Sequence, residues 1–288
     1  MQIELDCFPC IFRQVLESSR MVTDDEGLIK EILDEYSKLV PKVDDNIMGP
    51  TLGKYGQDIV KEKTNTDDPY REFKRKHMKL AQEIYPEAEE IINQADDSLF
   101  DALVIAATGN AIDAGVSLDV DVAHHLKQST GSGFVKSDYA ELKTKLQNEE
   151  KVLIIGDNAG EAIFDKLLIK ELKKYNVEII YAYRDAPILN DVTIKEIKEI
   201  GIDKLADRVL SSGCQTPGTI LNETTDEFRK IYNQAGIVIS KGQGNFEGLS
   251  GASRSIFFLL KAKCELIASI LDVEQGDLIL SGGGFKLR

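Results

Sequence analysis

No run of apolar residues in this sequence approaches the ~20 that a helix needs to cross a bilayer. The opening, MQIELDCFPCIF, places acids where a secretory leader would carry basic residues ahead of a long apolar segment. A cytosolic protein is the expectation. Cysteine is scarce, four in 288 residues, which excludes the disulfide framework of a small secreted domain. Positive charge is in deficit too, with 35 Lys and Arg against 49 Asp and Glu and a net charge of −14. Phosphate backbones and anionic lipid attract Lys and Arg, so neither nucleic acid nor a membrane surface suits this chain. Small or metal-bearing partners fit better, although a solubility role alone would also account for the charge. Internal repeats, low-complexity segments and a clean linker are absent as well.

What is there is ordinary for a globular protein, 42% apolar and 29% charged. The length suffices for one large or two modest domains. Residues 1–95 read as a helical region. In DDEGLIKEILDEYSKLV the apolar residues Leu28, Ile29, Ile32, Leu33, Tyr36, Leu39 and Val40 recur at helical spacing until Pro41. A long helical stretch, DDPYREFKRKHMKLAQEIYPEAEEIINQA, is expected to be interrupted at Pro86. DSLFDALVIAATGNAID predicts a buried helix behind an Asp-Ser cap. From about residue 151 the texture changes. KVLIIG, VEIIYAY, RVLSS, GIVIS, SIFFLLKA and DLILSGG are short β-type runs, the first three separated by helical stretches. The pattern predicts an α/β/α sandwich over 96–288, mostly helical to 148, on a mainly parallel, partly mixed sheet of Rossmann-like type.

Chemistry-bearing residues gather where strands end. Asp157 and Asn158 follow KVLIIG, with Gly160 and Glu161 just before a helix. Ligands of open α/β sheets bind at that edge, a helix N-terminus favours anions, and Asp and Asn offer the hard oxygens that Mg²⁺ or Mn²⁺ takes. A plain helix cap explains the same pair. Asn190 and Asp191 follow the next strand; if the two strands are neighbours their tips lie ~5 Å apart, and Asp157, Asn158 and Asp191 can share one cation. Lys241 follows a third strand, Gly236–Ser240, and Gly242, Gly244 and Gly248 beyond it suggest a loop that turns N–H groups toward an anion. A solvated lysine on a flexible loop is the bland alternative. Asn110 and Asp113 end the buried helix, three residues apart and on one face. Gly109 beside them is costly there unless a backbone comes close. Cys7 and Cys10 read as reduced, packed thiols more readily than as half of a zinc site, since Cys214 and Cys264 look isolated. Asp119, Asp121, His124 and His125 read as a cap and the residues after it rather than as metal ligands.

Taken together, CFPC, GNAID, GDNAGEAIFD, APILNDVT and SKGQGNFE occur in order over nearly the whole chain, and in this the sequence resembles the damage-control phosphatase family, also called domain of unknown function 89. The Cys-x-x-Cys opening is similar to its archaeal, metal-dependent branch. The resemblance implies a phosphatase of small phosphorylated metabolites that uses a divalent ion (Mg, Mn, Co or Ni). It implies Asp157, Asn158 and Asp191 as metal ligands and Glu161 and Lys241 as catalytic residues, with Lys241 and Gly242 at the phosphate. Asn110 and Asp113 are implied near the substrate. The nucleophile is then a water or the Asp157 carboxylate. Ala159 stands where aspartyl-phosphate chemistry commonly has a second acid, which favours water. Two other functions compete: an S-adenosylmethionine-dependent carboxyl methyltransferase, disfavoured because no Gly-x-Gly-x-Gly loop follows the first strand, and a non-catalytic protein that binds nucleotides or sugar phosphates. GDNAGE has acids where a dinucleotide pyrophosphate would need glycines.

Overall fold

Amphipathic spacing makes the first three helices. The computed structural model describes residues 1–44, 46–113, 122–283 and 285, and side chains at all of these except 110–113, 122–125 and 127. Helices α1 (Cys7–Arg20), α2 (Glu26–Leu39) and α3 (Gly49–Thr64) bury Val15, Ile32, Tyr36, Leu52 and Val60 in a small core of their own. Asp25 caps α2, its carboxylate accepting from the N–H groups of Gly27 and Leu28. Helix α4 (Arg71–Gln94) runs through Pro86 without the expected interruption. Met78 and Ala81 before the proline, and Ala88 and Ile92 after it, all sit in the main core. That packing outweighs the ~3 kcal/mol that an interior proline costs a helix. Helix α5 (Ser98–Asp113) is apolar nearly all round and buried, as its sequence predicts. Helix α6 (Val122–Ser132) follows; Asp119 and Asp121 and the side chains of His124 and His125 lie outside the described residues.

The sheet begins earlier than the sequence suggests, with a two-residue strand β1 (Lys136–Ser137) ahead of α7 (Tyr139–Leu146). Next come β2 (Lys151–Ile155), α8 (Ala162–Lys173), β3 (Glu178–Tyr183), α9 (Ile194–Ile200), β4 (Arg208–Ser211) and α10 (Asp226–Gln234). The chain then makes β5 (Ile237–Lys241), α11 (Gln243–Leu249), β6 (Phe257–Lys261), α12 (Glu265–Leu271) and β7 (Leu278–Ser281). Strand order is β1-β7-β6-β5-β2-β3-β4. Every pairing is parallel except β6 with β7, so the mixed end falls one strand later than the GIVIS–SIFFLLKA spacing implied. Along β2 the side chains alternate: Val152 and Ile154 join Leu103 of α5 and Phe164 of α8, while Leu153 and Ile155 join Phe228 of α10, Phe246 of α11 and Ile267 of α12. The result is three layers, α/β/α. At the far edge, the N–H of Val135 donates to the Leu278 carbonyl at 3.0 Å, and the Asp138 carboxylate accepts from the Gly282 N–H at 2.6 Å. No helix among the described residues is long and apolar enough to cross a membrane.

Candidate active site

The strand order turns around at β2, with β3 on one flank and β5 on the other, and this switch point opens a crevice beyond the carboxyl ends of the strands. Asp157 and Asn158 lie there. The cap reading for them does not apply: α8 starts at Ala162, its N-cap is Glu161, and that residue makes no side-chain cap bond. Nor does Asp191 cap α9, which is held by Thr193 and Glu196 in a capping box. Instead the two segments pair with each other. Asn158 and Asp191 form an isolated antiparallel bridge. The Val192 N–H donates to the Asp157 carbonyl at 2.8 Å, and the Ala159 N–H to the Asn190 carbonyl at 2.9 Å. Residues 34 positions apart in sequence (191 less 157) are thus locked side by side, and all three side chains are buried.

Arg184 organises this rim. Its guanidinium donates to Asp191 Oδ2 at 2.8 Å, to Thr219 Oγ1 at 2.9 Å and to Asn245 Oδ1 at 2.7 Å. Asn245 passes the connection on, its amide donating to the carbonyls of Gly156 at 3.0 Å and Lys241 at 2.7 Å. One buried network therefore ties the ends of β2, β3 and β5 together. Lys241 is the last residue of β5 and fully buried rather than on a loop. Its ammonium sits between Glu161 Oε1 and Asp165 Oδ1, the latter at 2.5 Å. Asp165 also accepts from the Tyr181 hydroxyl at 2.6 Å. Burial pushes the Glu161 carboxyl well above the usual range even though Lys241 pulls the other way. Burial pushes Asp191 up to about 7, against the attraction of Arg184 and with the Asp157 charge adding to the rise.

Gly242 does not offer its N–H to the crevice; that group donates to the Leu259 carbonyl within the sheet at 3.0 Å. What it offers is space. A Cβ there would lie 1.9 Å from Asp157 Oδ2, and φ is +77°. The glycine stretch after it is helix α11 rather than a loop, with Gly244 pressed against the Pro217 carbonyl. Gly109 has the close backbone neighbour its position in a helix demands: a Cβ would meet the Phe164 ring at 2.8 Å and the Glu161 Cα at 3.4 Å. The end of α5 is thereby held against the turn that carries Glu161. Asn110 and Asp113 belong to that end, and their side chains lie outside the described residues.

Above the rim is a cavity of about 560 Å³, with Asp157, Asn158, Asn190 and Asp191 on one side. Asp6 just before α1, Cys10 and Gln14 of α1, and Pro50 of α3 also line it. Cys7, Cys10 and Cys264 all line this cavity, so Cys264 is not isolated as its position in sequence suggested. All four cysteines are free; Cys10 is exposed and Cys214 buried. Several working residues went unassigned in the sequence. Asp165 stands one helical turn after Glu161, a spacing that puts both on one face. Arg184 and Asn245 lie inside YAYRDAP and SKGQGNFE, but no local pattern announces that they meet.

The fold agrees with the comparisons. A profile described as the damage-control phosphatase ARMT1-like domain matches residues 3–279. A damage-control phosphatase of Archaeoglobus fulgidus is 33% identical over 97% of this chain and 98% of its own. Another, from Pyrococcus horikoshii, is 32% identical over the full length of both. A crystal structure of a protein of the DUF89 family from Pyrococcus horikoshii superposes with a TM-score of 0.90 at 30% identity, covering 99% of this chain and 100% of that one. The chain belongs to the damage-control phosphatase family.

Proposed function

We propose that this protein is a metal-dependent phosphatase that hydrolyses phosphomonoesters of small metabolites, sugar phosphates and damaged phosphometabolites among them. One observation carries the reading: Asp157, Asn158 and Asp191 are locked together by backbone pairing at the switch point of the sheet, on the wall of a cavity large enough for such a substrate. Their oxygens suit Mg²⁺, Mn²⁺, Co²⁺ or Ni²⁺. Among the described residues no three His, Cys, Asp or Glu side chains form a complete cage. Two carboxylates and an amide match an ion that keeps open positions for water and phosphate oxygens. The charge balance agrees. Asp157, Glu161, Asp165 and Asp191 are four buried carboxyls against two buried cations, Lys241 and Arg184. Glu161 Oε2 is buried without a hydrogen-bond partner among the described residues.

When bound, the ion supplies Lewis-acid stabilisation of the phosphoryl oxygens. The chain does the rest. Arg184 holds Asp191 Oδ2 and so fixes the carboxylate that would hold the ion. Gly242 leaves room for the Asp157 carboxylate, and the Glu161–Lys241–Asp165 cluster lies within electrostatic reach of it, so Glu161 and Lys241 act through Asp157. The contact of Gly109 with Glu161 supports Asn110 and Asp113 as substrate contacts. Water is the nucleophile, since Ala159 cannot serve as the second acid of an aspartyl-phosphate mechanism. The test is phosphate release from p-nitrophenyl phosphate and a panel of sugar phosphates, with each of the four ions compared with EDTA. Metal-dependent release is expected, and Asp157→Ala is expected to lose at least about a hundredfold in kcat. No release with any ion, or full activity in Asp157→Ala, overturns the reading.

A further inference from the structure

A phosphatase of metabolites must expel an alcohol. When the bond from phosphorus to the ester oxygen breaks, the electron pair stays on that oxygen, and a sugar alkoxide is too basic to leave without a proton. An ion that stabilises the phosphoryl oxygens leaves this need unmet. Among the described residues the cavity wall has five carboxyl groups from which the proton can come, Asp6, Asp157, Asp191, Glu247 and Glu265. Asp157 and Asp191 belong to the proposed ion site. Asp6 and Glu265 are exposed.

Glu247 remains, and it is held in place. It stands on α11, the helix that leaves β5 at the rim of the crevice. Gln243, one turn earlier, donates from Nε2 to Glu247 Oε1 at 3.0 Å. Gln243 is fixed in turn, its Oε1 accepting from the Lys263 N–H at 2.9 Å. One carboxyl oxygen is thus clamped. The other, Oε2, has no hydrogen-bond partner among the described residues, and no cation pairs with the side chain. Gly49 at the start of α3 gives Oε2 its room, since a Cβ there would lie 3.0 Å from it. Burial pushes the Glu247 carboxyl up and the Asp157 charge adds to the rise, against the Gln243 amide, the terminal amino group of Met1 and Lys263. A carboxyl raised in this way keeps its proton to higher pH, which a proton donor needs.

We propose that Glu247 is the general acid of this site: Oε2 gives its proton to the ester oxygen as the bond to phosphorus breaks, which fits the protein to esters of unactivated alcohols. The attacking water forms the new bond to phosphorus. The proton it loses passes to solvent, and solvent returns one to Glu247, so protons balance over the cycle. The inference rests on the phosphatase reading, and its test compares two esters that differ in how much their leaving group needs a proton. Phenol titrates near about 10, whereas p-nitrophenolate is a far weaker base and departs unaided. Both phosphates are assayed with Mn²⁺ for wild type, Glu247→Gln and Glu247→Asp; Mn²⁺ calorimetry and thermal unfolding check that each variant is folded and loaded. Glu247→Gln is expected to lose about a hundredfold in kcat on phenyl phosphate and to stay within about threefold of wild type on p-nitrophenyl phosphate. Glu247→Asp, an acid on a shorter arm, is expected to show the same bias in smaller measure. A purely structural role would lower both esters alike, and equal losses on the two esters overturn the proposal alone. A wild type that cleaves p-nitrophenyl phosphate but not phenyl phosphate does the same. A wild type that cleaves neither ester overturns the phosphatase reading and the proposal with it.

Discussion

Gly242 shows how little space Asp157 has. A methyl group at position 242 would overlap the carboxylate, and φ of +77° strains any other residue. Gly242→Ala is therefore expected to lower stability by about 2–4 kcal/mol and to displace Asp157. Urea unfolding measures the first effect; the second appears as a loss of Mn²⁺ affinity in calorimetry, and Mn²⁺ affinity equal to wild type contradicts it. Arg184 gives a stronger case. Arg184→Met strands Asp191 in a buried place without its counter-charge, which costs about 3–5 kcal/mol. A drop below about 1 kcal/mol in urea unfolding would show that the network is dispensable. These residues also mark the limit of what could be read beforehand. Asp157, Asn158, Asp191, Lys241 and Gly242 stand out because each ends a strand next to a glycine, a helix or another acid. Arg184 stands in the turn between β3 and Asp191 and gains its meaning from Thr219 and Asn245, which no short-range pattern links to it.

Helix α9 is fixed at its start by Thr193, whose hydroxyl and N–H both donate to Glu196 Oε2, at 2.6 and 3.0 Å. Glu196 Oε1 meets Lys74 of α4 at 2.8 Å, and Lys74 also meets Asp68 at 2.9 Å. All three charges are buried. Burial pushes the Glu196 carboxyl up, but Lys74 and Thr193 more than offset this and hold it below the 4.5 of a free glutamate. A carboxylate lowered by folding adds stability above its unfolded value and loses it as the pH falls through the folded one. Glu196→Gln is expected to be about 1.5–3 kcal/mol less stable than wild type at pH 7, with the gap closing below about pH 4. Urea unfolding across that range checks it, and a gap that persists in acid contradicts it. Elements were legible to different degrees. The strands of the central sheet announced themselves as β-branched runs between helical stretches. The two residues of β1 did not, because so short a strand exists only through its neighbour. Pro86 misled because a local rule for proline yields here to burial on both sides.

The helices α1 to α3 form their own core, yet they wall the cavity and reach the site directly. Lys61 of α3 donates to the Pro187 carbonyl, in the turn that carries Asp191. Lys61→Met removes that tie between the helical part and the turn. Mn²⁺ affinity is expected to fall severalfold while the unfolding temperature moves by no more than about 3 °C; an unchanged affinity means that the turn holds its shape unaided. The lack of a clean linker points to packing of the helical part onto the α/β part, but no local pattern in the sequence says that it walls a cavity or that Lys61 reaches the turn of Asp191. The far edge of the sheet has a consequence for synthesis. Strand β1 has β7 as its neighbour in the sheet, and Val135 and Asp138 on either side of β1 are bonded to Leu278 and Gly282. A segment that leaves the ribosome before the centre of the sheet must therefore wait, unpaired, while β2 to β6 emerge, and the nascent chain stays open at that edge until β7 follows them.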